Sequence, residues 1–393
     1  MTSLRLLPVP AGPAALGVLP ALREALDGGP ALVPYAAHGR APGLPHDALA
    51  GHGPGALPEG LALVVGTSGS TGSPKLAMLT ASALVASARA TDQRLGGPGQ
   101  WLLPMAAHHI AGLQVLVRSL LAGTDPIAVD QSVGFTPTVF TAAAAALSGP
   151  RRYTSLVPTQ LVRLLADEAA TEALQAFDAI LVGGAASPPS LLSRAQAAGL
   201  RVVTTYGMSE TAGGCVYSGL PLAGVQVRTD DQGRLNIGGG TLAEGYLGRP
   251  DLTAAAFRAD PDGTRWFATD DIGHQDDAGG WHVDGRVDDL VNTGGLKVAP
   301  RLVEDAVAQH LPGVAECAVV GVPDPEWGEA VAAALVLRDG SRPPTLEDVR
   351  AALRGSLPDH ALPRRIAVLE VLPLRGPGKP DRMAVRAVFS GRS

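Results

Sequence analysis

Cysteine is nearly missing from this chain: Cys215 and Cys317 are the only two among 393 residues. They lie far apart and form no C-x-x-C pair, which excludes a disulfide framework and a cysteine zinc site and fits a reducing compartment. Charge is also sparse. Asp, Glu, Lys and Arg make up 17% of the chain, and 37 acidic against 31 basic residues leave a formal net charge of -6. Such a balance provides no broad basic surface for nucleic acid, so any anion site has to be local. Long apolar runs are missing too. Segments such as Ala142 to Leu147 are short, and proline or charge interrupts every longer one before the roughly 18 residues a membrane span needs. The N-terminus has early prolines and then a helix-like run with Arg23, Glu24 and Asp27, without a signal-peptide core or small-residue cleavage site. A cytoplasmic protein without membrane insertion is expected.

What is present describes a folded protein. Hydrophobic residues make up 46% of the chain, and its 49 glycines and 33 prolines are spread along it rather than gathered in one tail. The length suits one large domain plus one small one. Short apolar runs precede glycine-rich turns at Leu61 to Val65, Ala179 to Val182 and Arg201 to Thr205. Between them lie helical patterns, such as Ser82 to Arg94 and Thr159 to Glu168, so an α/β architecture with partly parallel sheets is expected. After Thr229 the texture shifts to glycine, aspartate and short alternating segments, as in Gly233 to Gly240 and Trp281 to Val283, which predicts turns and small antiparallel strands. From Pro300 a new unit begins: a helix (Leu302 to His310), two strands (Glu316 to Val322, Ala330 to Arg338) and a helix (Leu346 to Leu353). That stretch suits a small α+β domain. The alanine tract Ala142 to Ala146 reads as a helix face, and no internal repeat of fixed period is present.

The strongest local feature runs from Val64 to Lys75, Val-Val-Gly-Thr-Ser-Gly-Ser-Thr-Gly-Ser-Pro-Lys, directly after a buried-strand pattern. Glycines let backbone N–H groups converge on one anion, hydroxyls add donors, and Lys75 adds a point charge. It is not a Walker A loop, which needs Gly-Lys-Ser/Thr together. A flexible Gly/Ser turn is the bland alternative. The second cluster, Thr204 to Thr211, places Tyr206 where a ring would stack on a base and Glu210 where a carboxylate would hold a hard cation bridging phosphates. The same residues would equally serve as a strand end followed by a capped helix, with Ser209 as N-cap. Leu181 to Ala186 ends another strand in Gly183 and Gly184, which would let a flat ligand approach the backbone. Trp266 to Gly273 carries Asp270 and Asp271, a carboxylate site for ribose hydroxyls or an ordinary Asp-Asp-x-Gly turn. Then follow Asp284 to Val298, with Arg286, Asp288 and Lys297, and Leu374 to Arg382, with Lys379 in a Gly/Pro-rich loop.

Taken in order, these motifs resemble the ANL superfamily of adenylate-forming enzymes, from Gly66 to Arg382. The resemblance implies a large N-terminal adenylate-forming domain of mixed sheets and helices, 1–284, and a small mobile α+β C-terminal domain, 285–393. It implies that Thr67, Ser68, Gly69, Ser70, Thr71, Gly72 and Lys75 hold the phosphates of ATP. Gly183, Gly184, Ala185, Thr205, Tyr206, Gly207, Met208, Ser209 and Thr211 would line the nucleotide, with Tyr206 near adenine. Glu210, with Thr67, would bind Mg2+. Asp271 and Arg286 would hold the ribose; the family's usual Thr-Gly-Asp stands here as Thr269-Asp270-Asp271, and the spacing to Gly273 selects Asp271. Asp288 matches the hinge, Lys379 the lysine that helps form the adenylate, and Lys297 the face that forms a thioester with coenzyme A.

Three segments, Leu103 to Arg118, Thr154 to Leu161 and Tyr206 to Tyr217, resemble the o-succinylbenzoate:CoA ligase branch of that superfamily, which serves menaquinone biosynthesis. The resemblance implies an aromatic carboxylic acid as substrate, with ATP and CoA, and a homodimer as relatives commonly form. His109 and Arg118 would help hold a second carboxylate on such an acid, beside Gly207. Their bland alternatives are a satisfied core histidine and an arginine paired with an acidic neighbour. Another aryl- or acyl-CoA ligase of the same fold, or a nucleotide-binding protein on a decayed ligase scaffold, are the competing readings.

Overall fold

The structure is a computed structural model and describes residues 3–44, 57–67, 75–132, 134–374 and 380–390. The chain divides into two compact units. The first comprises Met1–Arg228, Asn236–Thr269 and Asp277–Trp281, and the second Thr229–Leu235, Asp270–Asp276 and His282–Ser393.

Two sheets organise the first unit. One orders Leu4–Val9, Ala31–Ala36, Leu61–Gly66, Leu76–Thr80 and Gly245–Tyr246; the first three strands are parallel, and the last two join antiparallel. The other runs Leu220–Pro221, Gly213–Tyr217, Val202–Met208, Ala179–Gly183, Arg152–Leu156, Gln100–Leu103 and Ile127–Ala128. Val202–Met208 through Ile127–Ala128 pair parallel, as the alternation of strands and helices predicts. Ala179–Gly183 is buried at every position, which is why it reads as one continuous apolar run.

The Ala81–Leu95 helix starts where the Thr80 hydroxyl accepts from the Ala83 N–H at 3.2 Å. Its neighbour, Ile110–Ala122, is buried on nearly all sides and begins just after His109. The predicted helix from Thr159 to Glu168 is in fact two, Pro158–Leu164 and Glu168–Gln175. Asp167 divides them, because its carboxylate accepts from the Ala170 N–H at 2.9 Å and caps the second helix.

In the second unit, Leu296–Val298, Val291–Thr293, Gly328–Leu337 and Val314–Asp324 form an antiparallel sheet, with Arg365–Leu369 added parallel to Gly328–Leu337. Successive strand residues face opposite sides. Val319, Val331, Ala333 and Leu335 pack with Val303, Val307, Val349 and Leu353 of the Pro300–His310 and Leu346–Leu353 helices. Ala318, Val320, Val322, Ala332 and Ala334 pack on Val385 and Phe389 of the Arg382–Ser390 helix. Both faces of the small sheet are thereby covered, as the expected α+β unit requires. No helix among the described residues is long and apolar enough to cross a membrane.

Candidate active site

The glycine- and hydroxyl-rich loop is anchored at its base, where the Thr67 N–H donates to the Lys75 carbonyl at 2.8 Å. Ser68, Gly69, Ser70, Thr71 and Gly72 lie outside the described residues, as does Lys379. What the structure gives is the frame that holds the loop's two ends.

The Val202–Met208 strand runs on through Tyr206, further than the sequence suggests, because Gly213–Tyr217 folds back and pairs Val216 with Tyr206 and Gly213 with Met208. Between the two strands, Ser209–Thr211 makes a single 3-10 turn. Ser209 is not its N-cap: the Ser209 hydroxyl donates to the Gly66 carbonyl at 3.3 Å, tying the turn to the start of the loop. Capping falls to Thr211, whose Oγ1 accepts from the Met208 N–H at 3.0 Å and donates to the Gly213 carbonyl at 2.8 Å. Glu210 is buried in this turn. Its Oε1 accepts from the Tyr246 hydroxyl at 2.8 Å, and its carbonyl accepts from the Ala243 N–H at 2.8 Å. The Lys75 ammonium lies 5.1 Å above the centroid of the Tyr246 ring. Thus a residue that sequence reading passed over, Tyr246, sits between two that it selected.

Among the described residues there is no cluster of three or more His, Cys, Asp or Glu side chains that would cage a metal. A cation at Glu210 would therefore take its remaining ligands from phosphate oxygens and water, the usual arrangement for magnesium beside a nucleotide. A carboxylate oxygen is the kind of donor that ion takes.

Gly183 and Gly207 are glycines for reasons of packing. A Cβ on Gly183 would collide with the Thr205 side chain, and one on Gly207 with the backbone of Gly213. These glycines let the strand ends that carry Thr205, Tyr206 and Met208 close together. Gly184 and Ala185 follow, with Gly184 at φ +77°.

His109 stands at the N-terminus of the Ile110–Ala122 helix, its ring 4.1 Å from that of His108. Burial, reinforced by the neighbouring His109, pushes His108 down to about 4, and desolvation lowers His109 as well. Arg118 is buried in the core, its guanidinium 5.0 Å over the Trp101 ring and Nη2 3.4 Å from the hydroxyl of Tyr217. Its charge faces Asp92, whose carboxyl is raised by burial and partly restored by Arg118. Cys215 is likewise a core residue, its thiol pushed up to about 12 by burial.

In the second unit, Arg286 gathers carboxylates. Its Nε donates to Asp288 Oδ1 at 2.9 Å and its Nη2 lies 3.5 Å from Asp270 Oδ2. Burial opposes the charge on Arg286, but the bond from Asp288 and the fields of Asp271 and Asp270 outweigh it and hold the guanidinium above its ordinary pKa. Asp271 and Asp270 thus both bear on the arginine expected to meet a ribose. Lys297 lines a cavity of about 420 Å³ with Ile272, His274, Asp284 and Leu290, where His274 Nδ1 and Asp284 lie 2.8 Å apart. A second cavity, of about 470 Å³, is bounded by Trp327, Arg350, Arg354, Asp359, His360 and Arg364. There the Arg364 guanidinium stacks 4.2 Å over the Trp327 ring. Sequence reading did not select this cleft, because Arg350 and Arg354 at one helix end meet Arg364 and Trp327 only in the fold, and each alone is an ordinary surface charge.

The chain is similar to known proteins over its length. The AMP-binding enzyme family model matches residues 22–247, and the model of the AMP-binding enzyme C-terminal domain matches residues 302–379. A probable 2-succinylbenzoate–CoA ligase from Mycobacterium tuberculosis is 48% identical, covering 99% of this chain and 100% of the relative. Among solved structures, the o-succinylbenzoate CoA synthetase (MenE) of Bacillus subtilis, in complex with the acyl-adenylate OSB-AMP, superposes with a TM-score of 0.69 at 26% identity. It covers 83% of this chain and 69% of the other. Wild-type E. coli MenE, with a bound phenylether-linked analogue of OSB-AMS, gives a TM-score of 0.74 at 25% identity over 99% of this chain and 88% of the other.

Proposed function

This chain belongs to the AMP-binding enzyme family, and from that premise we propose that it is an AMP-forming acid–CoA ligase acting on 2-succinylbenzoate. The full-length likeness to a ligase of that acid supports the substrate. The adenylating chemistry rests on one observation: Glu210 and Lys75, a buried carboxylate and the loop's terminal ammonium, meet on either side of Tyr246.

In the first half-reaction an oxygen of the substrate carboxylate attacks the α-phosphorus of ATP. The bond from that phosphorus to the bridging oxygen breaks, pyrophosphate leaves, and an acyl-adenylate remains. Lys75 and the loop from Thr67 onward hold the phosphates. Glu210 and Thr67 would hold Mg2+, which when bound would neutralise phosphate charge. Tyr206 lies along adenine, and Asp271 with Arg286 holds the ribose. Lys379 stabilises charge on the phosphate oxygens as the leaving group departs. In the second half-reaction the CoA thiolate attacks the acyl carbon and AMP leaves. That step needs Lys379 withdrawn and a thiol admitted, which is the reason to assign Asp288 as hinge and Lys297 to the thioester-forming face. CoA carries an adenine and several phosphates. The arginine cleft offers cations for the phosphates, in a chain of net negative charge.

The test is pyrophosphate release with ATP and Mg2+ across o-succinylbenzoate, benzoate, coumarate and medium-chain fatty acids, with and without CoA. Release confined to o-succinylbenzoate, with a CoA thioester as product, supports the assignment. Preference for another acid retains the ligase and rejects this substrate. Release with none of them, from folded protein that binds ATP, favours a nucleotide-binding protein on a ligase scaffold.

A further inference from the structure

Tyr246 is 3% exposed and fixed from every side. Its strand partner is Ala77, and the flanking bonds Glu244 N–H to Met78 carbonyl and Leu247 N–H to Leu76 carbonyl, each 2.8 Å, stitch the segment to the strand that leaves Lys75. Its own N–H donates to Thr253 Oγ1 at 2.9 Å. Gly245 before it has φ +143°, and a Cβ there would strike Thr253, so the approach of this segment admits no side chain. From that position the phenol hydroxyl reaches Glu210 Oε1 at 2.8 Å while the ring lies 5.1 Å beneath the Lys75 ammonium.

A buried tyrosine needs a partner for its hydroxyl, and any acceptor would satisfy a merely structural one. Here the acceptor is a carboxylate oxygen of the residue assigned to the metal, and the ring face lies against the ammonium assigned to the phosphates. A phenol donating to one carboxylate oxygen fixes the plane of the carboxylate and so the direction of the other oxygen. A ring beneath an ammonium restrains where that ammonium points. The two interactions use different parts of one rigid side chain, so the positions of Lys75 and Glu210 are not independent.

We propose that Tyr246 is a positioning residue that holds the phosphate-binding ammonium of Lys75 and the magnesium-binding carboxylate of Glu210 in one frame. The proposal rests on the assignment of Lys75 and Glu210 to the phosphates and metal of ATP.

The two contacts separate by mutation and by metal. Calorimetric titration of ATP into the full-length protein, with Mg2+ and with a chelator, reads the affinity gained from magnesium without any turnover. Tyr246→Phe keeps the ring under Lys75, so metal-free ATP binds within about twofold of wild type, while the magnesium-dependent gain falls by about tenfold. Glu210→Gln removes that gain, and adding Tyr246→Phe to it removes nothing more, because the hydroxyl acts through the carboxylate. Tyr246→Leu, which loses ring and hydroxyl together, weakens metal-free ATP as well. A Tyr246→Phe protein with the full magnesium gain, or losses from Tyr246→Phe and Glu210→Gln that simply add, overturns the proposal. A wild-type protein that binds no ATP under either condition overturns the ATP assignment itself.

Discussion

Arg286 grips Asp288 through two parallel hydrogen bonds, Nε to Oδ1 at 2.9 Å and Nη2 to Oδ2 at 3.3 Å. The same guanidinium is the one assigned to the ribose, and Asp288 is the residue assigned to the hinge. On those assignments the nucleotide and the hinge carboxylate would compete for one cation. Both side chains are nearly half exposed, so their pair is worth at most about 1 kcal/mol. Asp288→Ala should tighten ATP binding by about two- to fivefold, measured by calorimetry. Unchanged or weaker binding would show that the pair does not restrain Arg286.

Much of this site is legible in the sequence because its parts are contiguous. The chain has three lysines, Lys75, Lys297 and Lys379, and each stands in a motif that reads as chemistry without a structure. The second unit's central strands are equally plain, because residues 318–322 and 330–335 are apolar on both faces of a covered sheet. What escapes is whatever depends on pairing between distant segments. Tyr246 meets Lys75 and Glu210 only because its strand adds antiparallel to Leu76–Thr80, and nothing in Glu-Gly-Tyr-Leu-Gly signals that partner. Arg118 escapes for a different reason: the Ile110–Ala122 helix is buried nearly all round, so its sequence gives no polar face from which to read where the guanidinium points.

Arg118 gives a direct contrast between a substrate contact and a core cation. Its guanidinium is enclosed by Trp101 and Tyr217 and offsets the charge of Asp92. Removing this buried cation loses its packing on Trp101, its hydrogen bond to Tyr217 and its field at Asp92, at a cost of about 1–3 kcal/mol. Arg118→Met should lower the melting temperature by several degrees, while the KM for the acid stays within about twofold of wild type. A raised KM in a protein of normal stability would restore Arg118 to the substrate.

The histidine pair predicts a pH dependence of stability. His108 has its folded pKa lowered from 6.5 to about 4, by burial first and by His109 second. The unfolded chain takes up this proton near its ordinary value, and the folded protein resists it until about 4. The contribution is therefore fully present above pH 6.5 and is lost as pH falls from there toward 4, with a slope of at most about 1.4 kcal/mol per pH unit. Chemical denaturation at a series of pH values should show this fall, and His108→Gln should flatten it. A His108 NMR titration with its midpoint near 6.5 would remove the basis for the effect.

The cationic cleft of the second unit separates the two half-reactions. Arg354 lies on its edge, with its side chain 52% exposed and paired to Glu347 at 2.8 Å, so replacing it disturbs no core packing. If the cleft receives the phosphates of CoA, Arg354→Glu replaces an attractive charge with a repulsive one at a site the acid and ATP do not need. Each charge-assisted phosphate contact contributes about 1.5–3 kcal/mol where it is well formed and less where water screens it. The KM for CoA should accordingly rise about tenfold and fall back toward wild type as ionic strength lowers the affinity of both proteins. Pyrophosphate release without CoA should stay unchanged, because adenylate formation is complete before the thiol is needed. A loss of pyrophosphate release in proportion to the loss of thioester would place Arg354 in the adenylating step, and an unchanged KM for CoA would leave the cleft without a nucleotide.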